Sequence, residues 1–515
     1  MNSIDLLLYN GTIYTIDDKN TIFHWAAVRN GRIIDLGYGD GYKKHLPYAN
    51  EEIDLKKKVV LPGFYDSFVH LVQTGLNMLS VDLSHAQSIS EVLSTLHKKT
   101  KDASTVEFIR AIGFDELKIK EKRLPTRKEL DECCPNHPVW VNRVEYHTSV
   151  VNSLMLHLMN LPFNIDGISR DEKGLPNGAL TGKANAFLRS HILNSIPNEI
   201  RKKGVDMALK NALMKGITSI NAMEGGFQFH DKDAEFIYHH QDLFPIDVNL
   251  YYQTINIHKV LNMGLKRIGG GIFLDGSFGS RTAALAEPYF DDPSTRGVLY
   301  FTQQELNDFI LESHRLDLQI GVHAIGSRSI EQIISAYEYA QEKYPSKDIR
   351  HRIEHCELPT DDHLQRAKKL NLIFSMQPAY EFFWGGEDGM YQTRLGTRRK
   401  MTNPFRKIIE AGLIITGGSD SDVTPMDPLL GIHAAVNHPT PEFSISVYEA
   451  IKLFTINGAK AVFEEKIKGS IEIGKYGDMV VLDKDPFFTD TKHLKDIQVL
   501  YTIKEGNILF TDQVL

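Results

Sequence analysis

The stretch Val59-Val60-Leu61-Pro62-Gly63-Phe64-Tyr65-Asp66-Ser67-Phe68-Val69-His70 decides how this chain is read. Three apolar residues, Val59 to Leu61, run into a Pro-Gly turn. The chain then continues through Phe64, Tyr65 and Asp66 to a histidine at the end of what reads as a buried strand. A polar, metal-competent side chain at the end of an apolar strand is the motif to look for again downstream.

It recurs. Strand-like segments follow at Gly216–Met223, Ile246–Tyr252, Gly270–Gly276, Leu318–Ala324, Ile349–His355, Leu372–Pro378 and Leu413–Asp420. Amphipathic helical stretches such as SIEQIISAYEYAQEKY separate several of them. Repeated β–α alternation implies a parallel sheet. With the opening stretch this makes about eight strands, the number of a (β/α)8 TIM barrel, whose chemistry sits at the C-terminal ends of the strands. His70, Asp275, His323, His355 and Asp420 all fall at such ends. Alone, a histidine after an apolar strand reads as hydrogen-bonded structure, and a Ser-Asp pair as a cap or turn. Their succession at strand ends is what points to a site.

The segment from about Leu76 to Ile200 is too long for a βα loop. It carries its own helix (SISEVLSTLHKKT) and strands (VEFIRAIGF, PVWVNRV), so we read it as an inserted α+β lid subdomain at 76–200. The N-terminal residues alternate apolar and polar around Asn10-Gly11 and Asn30-Gly31, both hairpin signals. The C-terminus repeats the style in GDMVVLDKDP and in VLYTIKEGNILF. The two ends form either separate β caps or one composite β-sandwich.

Composition narrows the class. The 515 residues are 42% hydrophobic and 24% charged, with a net charge of −8. Acidic balance argues against nucleic acid or an anionic membrane as the main partner. Cys133, Cys134 and Cys356 cannot build a disulfide framework, which points to a reducing, cytoplasmic setting. The first residues read as strand and turn, not as a signal peptide. No apolar run reaches the roughly 20 residues needed to span a bilayer.

The quoted stretch resembles the first-strand motif of the amidohydrolase superfamily, in the wording of its amidohydrolase-3 (YtcJ-like) branch. The resemblance extends through VHAIGSRS at His323, RHRIEHCEL at His355, GGSDSDVTPMDP at Asp420, LGTRR, FTINGAKAV and GSIEIGKYGDMVVLDKDP. It implies a TIM barrel over 59–466 and a composite sandwich from 1–58 and 467–515. It implies His70, His323, His355 and Asp420 as metal ligands, with Asp420 and His355 catalytic. It places His147, Asp275, Arg281 and Gln377 against substrate.

The chain departs from the pattern where Phe68 replaces the first histidine of His-x-His, Gly271 replaces a lysine and Ser327 an aspartate. TGKANAFL supplies Lys183, Asn185 and Ala186 with no bridging carboxylate. The expectation is therefore one divalent ion, zinc by ligand type. The expected activity is hydrolysis of non-peptide carbon–nitrogen bonds in a small amide-like substrate, in a possible homodimer. The alternative is a degenerate barrel that binds a small molecule without turnover. Trp384, Phe382 and Phe383 are candidates for an apolar pocket wall or for loop core.

Overall fold

The computed structural model describes residues 3–101, 108–144, 146, 148–162, 164–226, 229–345 and 348–512. Its central sheet contains eight strands: β1 (Phe64–Val69), β2 (Ile217–Glu224), β3 (Asp247–Tyr252), β4 (Arg267–Phe273), β5 (Gln319–Ala324), β6 (Arg352–His355), β7 (Ile373–Met376) and β8 (Ile414–Gly417). Neighbours follow sequence order and pair in parallel from β1 to β8. The ends of the sheet meet. The Asp420 N–H donates to the Phe68 carbonyl at 2.9 Å, and the His70 N–H to the Ser421 carbonyl at 2.7 Å. The fold is thus a nearly closed (β/α)8 barrel. Its strands are short and largely buried, as helix-covered parallel sheets require, with polar side chains such as Asn221, Arg352 and Glu354 enclosed among apolar ones. Helix entries are set locally. At Gln303–Arg315 the Thr302 hydroxyl accepts from the Glu305 N–H while the Glu305 carboxylate accepts from the Thr302 N–H.

Both termini build a β-sandwich. Val59–Pro62 pairs antiparallel with Met479–Leu482 and parallel with Thr12–Tyr14 in one sheet. Ile4–Tyr9 pairs with Trp25–Arg29 and Ala49–Asp54 in the other. Leu6, Leu8, Val28, Val60, Val481 and Ile503 fill the space between them. Each such side chain contributes about 1.5–3 kcal/mol by leaving water. Asn30-Gly31 and Glu505-Gly506 close hairpins. Asn10-Gly11 does not. It is a corner that carries the chain from one sheet to the other, because Gly11 lies against Leu55, whose Cδ1 would stand 2.4 Å from any Cβ there.

The chain divides into two compact units, 1–71 with 209–515, and 72–208. The second unit holds a six-stranded mixed sheet running from Ile168–Arg170 through Val139–Arg143 to Val81–Asp82. Among the described residues no helix is long and apolar enough to cross a membrane.

Two buried histidines beside the barrel illustrate how hydrogen bonds assign protons. The Ile320 N–H donates to His351 Nδ1 at 3.1 Å, so Nε2 carries the His351 proton. That proton goes to His314 Nδ1 at 2.8 Å, and His314 Nε2 donates to the Tyr344 carbonyl at 2.8 Å. The His351 ring is neutral in this chain. Burial, then the neighbouring His314, push His351 well below 6.5. A buried base with a depressed pKa lets the unfolded chain bind the extra proton. Stability therefore falls as pH drops below about 6.5 and is unaffected above it. Replacing His351 with Asn should flatten that slope by up to about 1.4 kcal/mol per pH unit. Urea titrations of both proteins at about pH 7.5 and about pH 5 check this; parallel losses would contradict it.

Candidate functional site

Each expected site residue is delivered by the end of a barrel strand. His70 follows β1, His323 lies in β5, His355 closes β6 and Asp420 follows β8. All four are at least 94% buried. His355 and Asp420 take left-handed backbone angles, φ 71° and 51°. Non-glycine residues hold such angles when surrounding structure enforces them, and functional sites concentrate them.

The side chains form two pairs. His70 Nε2 faces Asp420 Oδ1 at 3.4 Å. The His323 and His355 rings meet edge to face with centroids 4.5 Å apart. Phe68 stands between the pairs, its ring centroid 5.3 Å from His70 and 5.1 Å from His355. Among the described residues no three His, Cys, Asp or Glu side chains already stand together as a coordination cluster. The expected four-residue ligand set is therefore not preassembled, and the Phe68 ring lies between its two pairs.

The hydrogen bonds commit His70 to Asp420 and leave metal-competent lone pairs on His323 and His355. His70 Nδ1 donates to the Met223 carbonyl at 2.8 Å, which directs Nε2 toward Asp420. His355 Nδ1 meets Gln377 Oε1 at 2.6 Å, leaving Nε2 open. His323 Nε2 donates to the Gly276 carbonyl at 3.1 Å, and its Nδ1 is buried without a hydrogen-bond partner. Asp420 Oδ1 has the 3.4 Å approach of His70 Nε2. An imidazole anchored through one nitrogen with the other bare is the arrangement a bound divalent ion requires. Imidazole and carboxylate donors suit a divalent ion by type.

Charge follows the same division. Burial opposes protonation of His70, but the Asp420 carboxylate, with Glu224 and the Met223 carbonyl, outweighs it and raises the group to about 9. Burial pushes His323 down to about 4, and burial with the His323 neighbour pushes His355 well below its ordinary value. One imidazole is thus held as the partner of a carboxylate and two are held neutral.

Three residues not singled out as functional by sequence complete the site. Tyr380 donates its phenol hydrogen to Asp420 Oδ2 and stacks on His355 at 12°. Its place three residues after Gln377 was the available signal. Asp66 accepts from the Ser419 N–H at 2.8 Å, tying β1 to the end of β8, and burial raises it to about 7. Gly276 contributes only its carbonyl, which no side-chain reading could find.

The substrate-facing candidates separate. Gln377 touches His355 directly. Asp275 is fully buried, and its carboxylate accepts the N–H groups of Ala284, Ile325 and Gly326 at 2.7–3.0 Å while lying 3.5 Å from His323 Nε2. It braces two loops behind His323. It does not pair with Arg281, which binds Asp291 at 2.8 Å on the surface side. Lys183 is 76% exposed and paired with Asp166. Ser327 accepts from the Ala286 N–H. Phe382 and Phe383 are exposed, whereas Trp384 packs edge-on against Tyr380. His147 lies outside the described residues.

The two departures at Phe68 and Gly271 are one packing event. A Cβ on Gly271 would stand 3.0 Å from Phe68 Cζ and 3.1 Å from Cε2, on a backbone with φ +77°. The phenyl ring fills the space a side chain at 271 would need. Gly271→Ala should therefore cost about 2–4 kcal/mol, combining left-handed strain with overpacking. The cost should shrink in a Phe68→Leu background, where the ring is gone. Urea midpoints of the four proteins test this coupling; equal costs in both backgrounds would refute it.

Comparison with known proteins agrees with this architecture. A family model described as "Amidohydrolase family" matches residues 51–510. The YtcJ protein of Bacillus subtilis is 30% identical over 98% of each chain. N-substituted formamide deformylase of Arthrobacter pascens is 26% identical over 98% of this chain and 97% of its own. An uncharacterized metal-dependent hydrolase from Pyrococcus horikoshii superposes with a TM-score of 0.81 at 28% identity, over 95% of this chain and 99% of that one.

Proposed function

From the premise that this chain belongs to the amidohydrolase family, a family of metal-dependent hydrolases, we propose that it cleaves the carbon–nitrogen bond of a small N-acyl or N-formyl amine using one divalent ion, zinc. The observation that carries the reading is the lone pair left without a partner at buried His323 Nδ1, on a ring packed against His355. His323, His355 and Asp420 would hold the ion, joined by His70 once it gives up the proton that faces Asp420. Bound there, zinc lowers the pKa of water to roughly 7 and polarises a carbonyl.

The chain's own groups account for the remaining chemistry. Asp420 takes the proton of the attacking water through Oδ1 while Tyr380 fixes Oδ2. The water oxygen bonds to the carbonyl carbon, the carbon–nitrogen bond breaks, and Asp420 returns the proton to the departing nitrogen. His355, its ring oriented by Nδ1–H on Gln377 Oε1, presents its unprotonated Nε2 to the ion. The formamide specificity of the Arthrobacter relative supports testing formyl amines first.

One observation favours a second reading, binding without turnover. Phe68 and Gly271 pack so closely that the polar corner has been replaced by apolar contact. Metal analysis and assay separate the two. Protein purified without chelator should carry about one equivalent of zinc and turn over members of an N-acyl and N-formyl amine panel, with loss on chelation. No zinc after addition of excess metal would remove the hydrolytic reading. Phe68→His should raise zinc affinity about 10–100-fold by restoring a donor beside His70. Unchanged affinity in a competition titration would place Phe68 outside the ion's reach.

A further inference from the structure

Cys133 and Cys134 are adjacent in sequence and serve nothing in the site above. Their sulfurs stand 3.4 Å apart on the same side of the chain. The geometry is anchored at both ends. Cys133 closes the helix Arg127–Cys133, which begins with a reciprocal Thr126–Glu129 cap braced by Arg123 at 2.7 Å. Cys134 is its C-cap, with its N–H on the Leu130 carbonyl at 3.0 Å. The His97 ring holds the Cys133 carbonyl at 2.9 Å, and Asn152 Nδ2 reaches the Cys134 carbonyl at 3.5 Å. Cys133 is half-buried and Cys134 fully buried.

Two sulfurs so placed can close in two ways. Direct bonding is disfavoured. Adjacent Cα atoms lie about 3.8 Å apart across a trans peptide, short of the roughly 4.4 Å at which disulfide-bridged pairs begin. Bridging through one atom needs no such approach, since the sulfurs already span an angular centre. We propose that Cys133 and Cys134 form a dithiol site for a trivalent, thiophilic electrophile of the organoarsenic(III) class. Cys133 reacts first from its exposed side and Cys134 closes the ring. Two arsenic–sulfur bonds form, the arsenic–oxygen bonds break, and the oxygen leaves as water with both thiol protons. Arsenic stays trivalent and nothing is oxidised. Hydrogen bonding from Cys134, against burial, lowers the Cys133 thiol, which favours its role as the entering group.

The test uses the full chain, folded, with phenylarsine oxide as the probe. Intact mass should show one adduct that resists excess monothiol and is removed by a vicinal dithiol reagent. Cys133→Ser and Cys134→Ser should each lose the monothiol-resistant adduct, while Cys356→Ser keeps it. Circular dichroism verifies that the variants are folded, and should either serine variant not fold, methyl methanethiosulfonate blocking of wild-type Cys133 replaces it. The oxidant diamide should leave three titratable thiols. A resistant adduct in the Cys133→Ser/Cys134→Ser double variant, no resistant adduct in wild type, or ready disulfide closure by diamide would each overturn the proposal.

Discussion

Asp420→Asn should reduce kcat/KM by about 10²–10⁴-fold on any substrate the wild type hydrolyses. The substitution keeps shape and keeps an oxygen for the Tyr380 phenol, but an amide cannot carry a proton from water to a leaving nitrogen. It also changes what His70 faces. The 3.4 Å approach of His70 Nε2 to Asp420 Oδ1 is what raises this imidazole against its burial. With Asn in place the reason for its charge disappears. Zinc content should therefore be measured beside the rate. A lost rate with retained metal assigns the proton transfer to Asp420, whereas equal rates in mutant and wild type would withdraw it from the chemistry.

The largest stability effect is expected at Arg352→Met. Arg352 and Glu354 alternate inward from β6 and are both fully buried. One guanidinium nitrogen of Arg352 donates to the Ser67 carbonyl at 2.7 Å, to Glu354 at 2.8 Å and to the Ser375 hydroxyl at 2.8 Å, and the group lies over the Tyr251 ring. Removing the cation strands a carboxylate inside the barrel. Such losses run to about 3–5 kcal/mol, because the remaining charge stays desolvated and uncompensated. The double variant Arg352→Met/Glu354→Leu should be less destabilised than the single one. Urea midpoints decide; a double variant as unstable as the sum of two singles would mean the pair is not the cause.

The barrel could be read from sequence because its strands are short apolar runs set between amphipathic helices, and both periods leave a clear trace. Their ends were less readable. The strand expected at Gly270–Gly276 lies at Arg267–Phe273, since Gly269, Gly270 and Gly271 all take positive φ and shift its register against β5. The strand-end placement of His70, His323, His355 and Asp420 could be read because strand-end position is a sequence property. Their partners could not. Asp275 reads as a substrate-facing residue on paper, yet three backbone amides claim it, and amide direction is set by loops far apart in sequence. Arg281, expected against substrate, binds Asp291 instead. The coupling of Phe68 to Gly271 lies across more than two hundred residues, and only packing shows that one made room for the other.

The join between first and last strands passes through the residues proposed to do the work. The amide of residue 420 is tied to the carbonyl at 68, and that of residue 70 to the carbonyl at 421, while lower down Tyr65 turns to the Phe454 carbonyl instead. Any parting of this seam would separate base from imidazole at the same instant. The two amides should then take up deuterium as a couple, and their common exchange rate would be a clock for how often the catalytic centre comes apart.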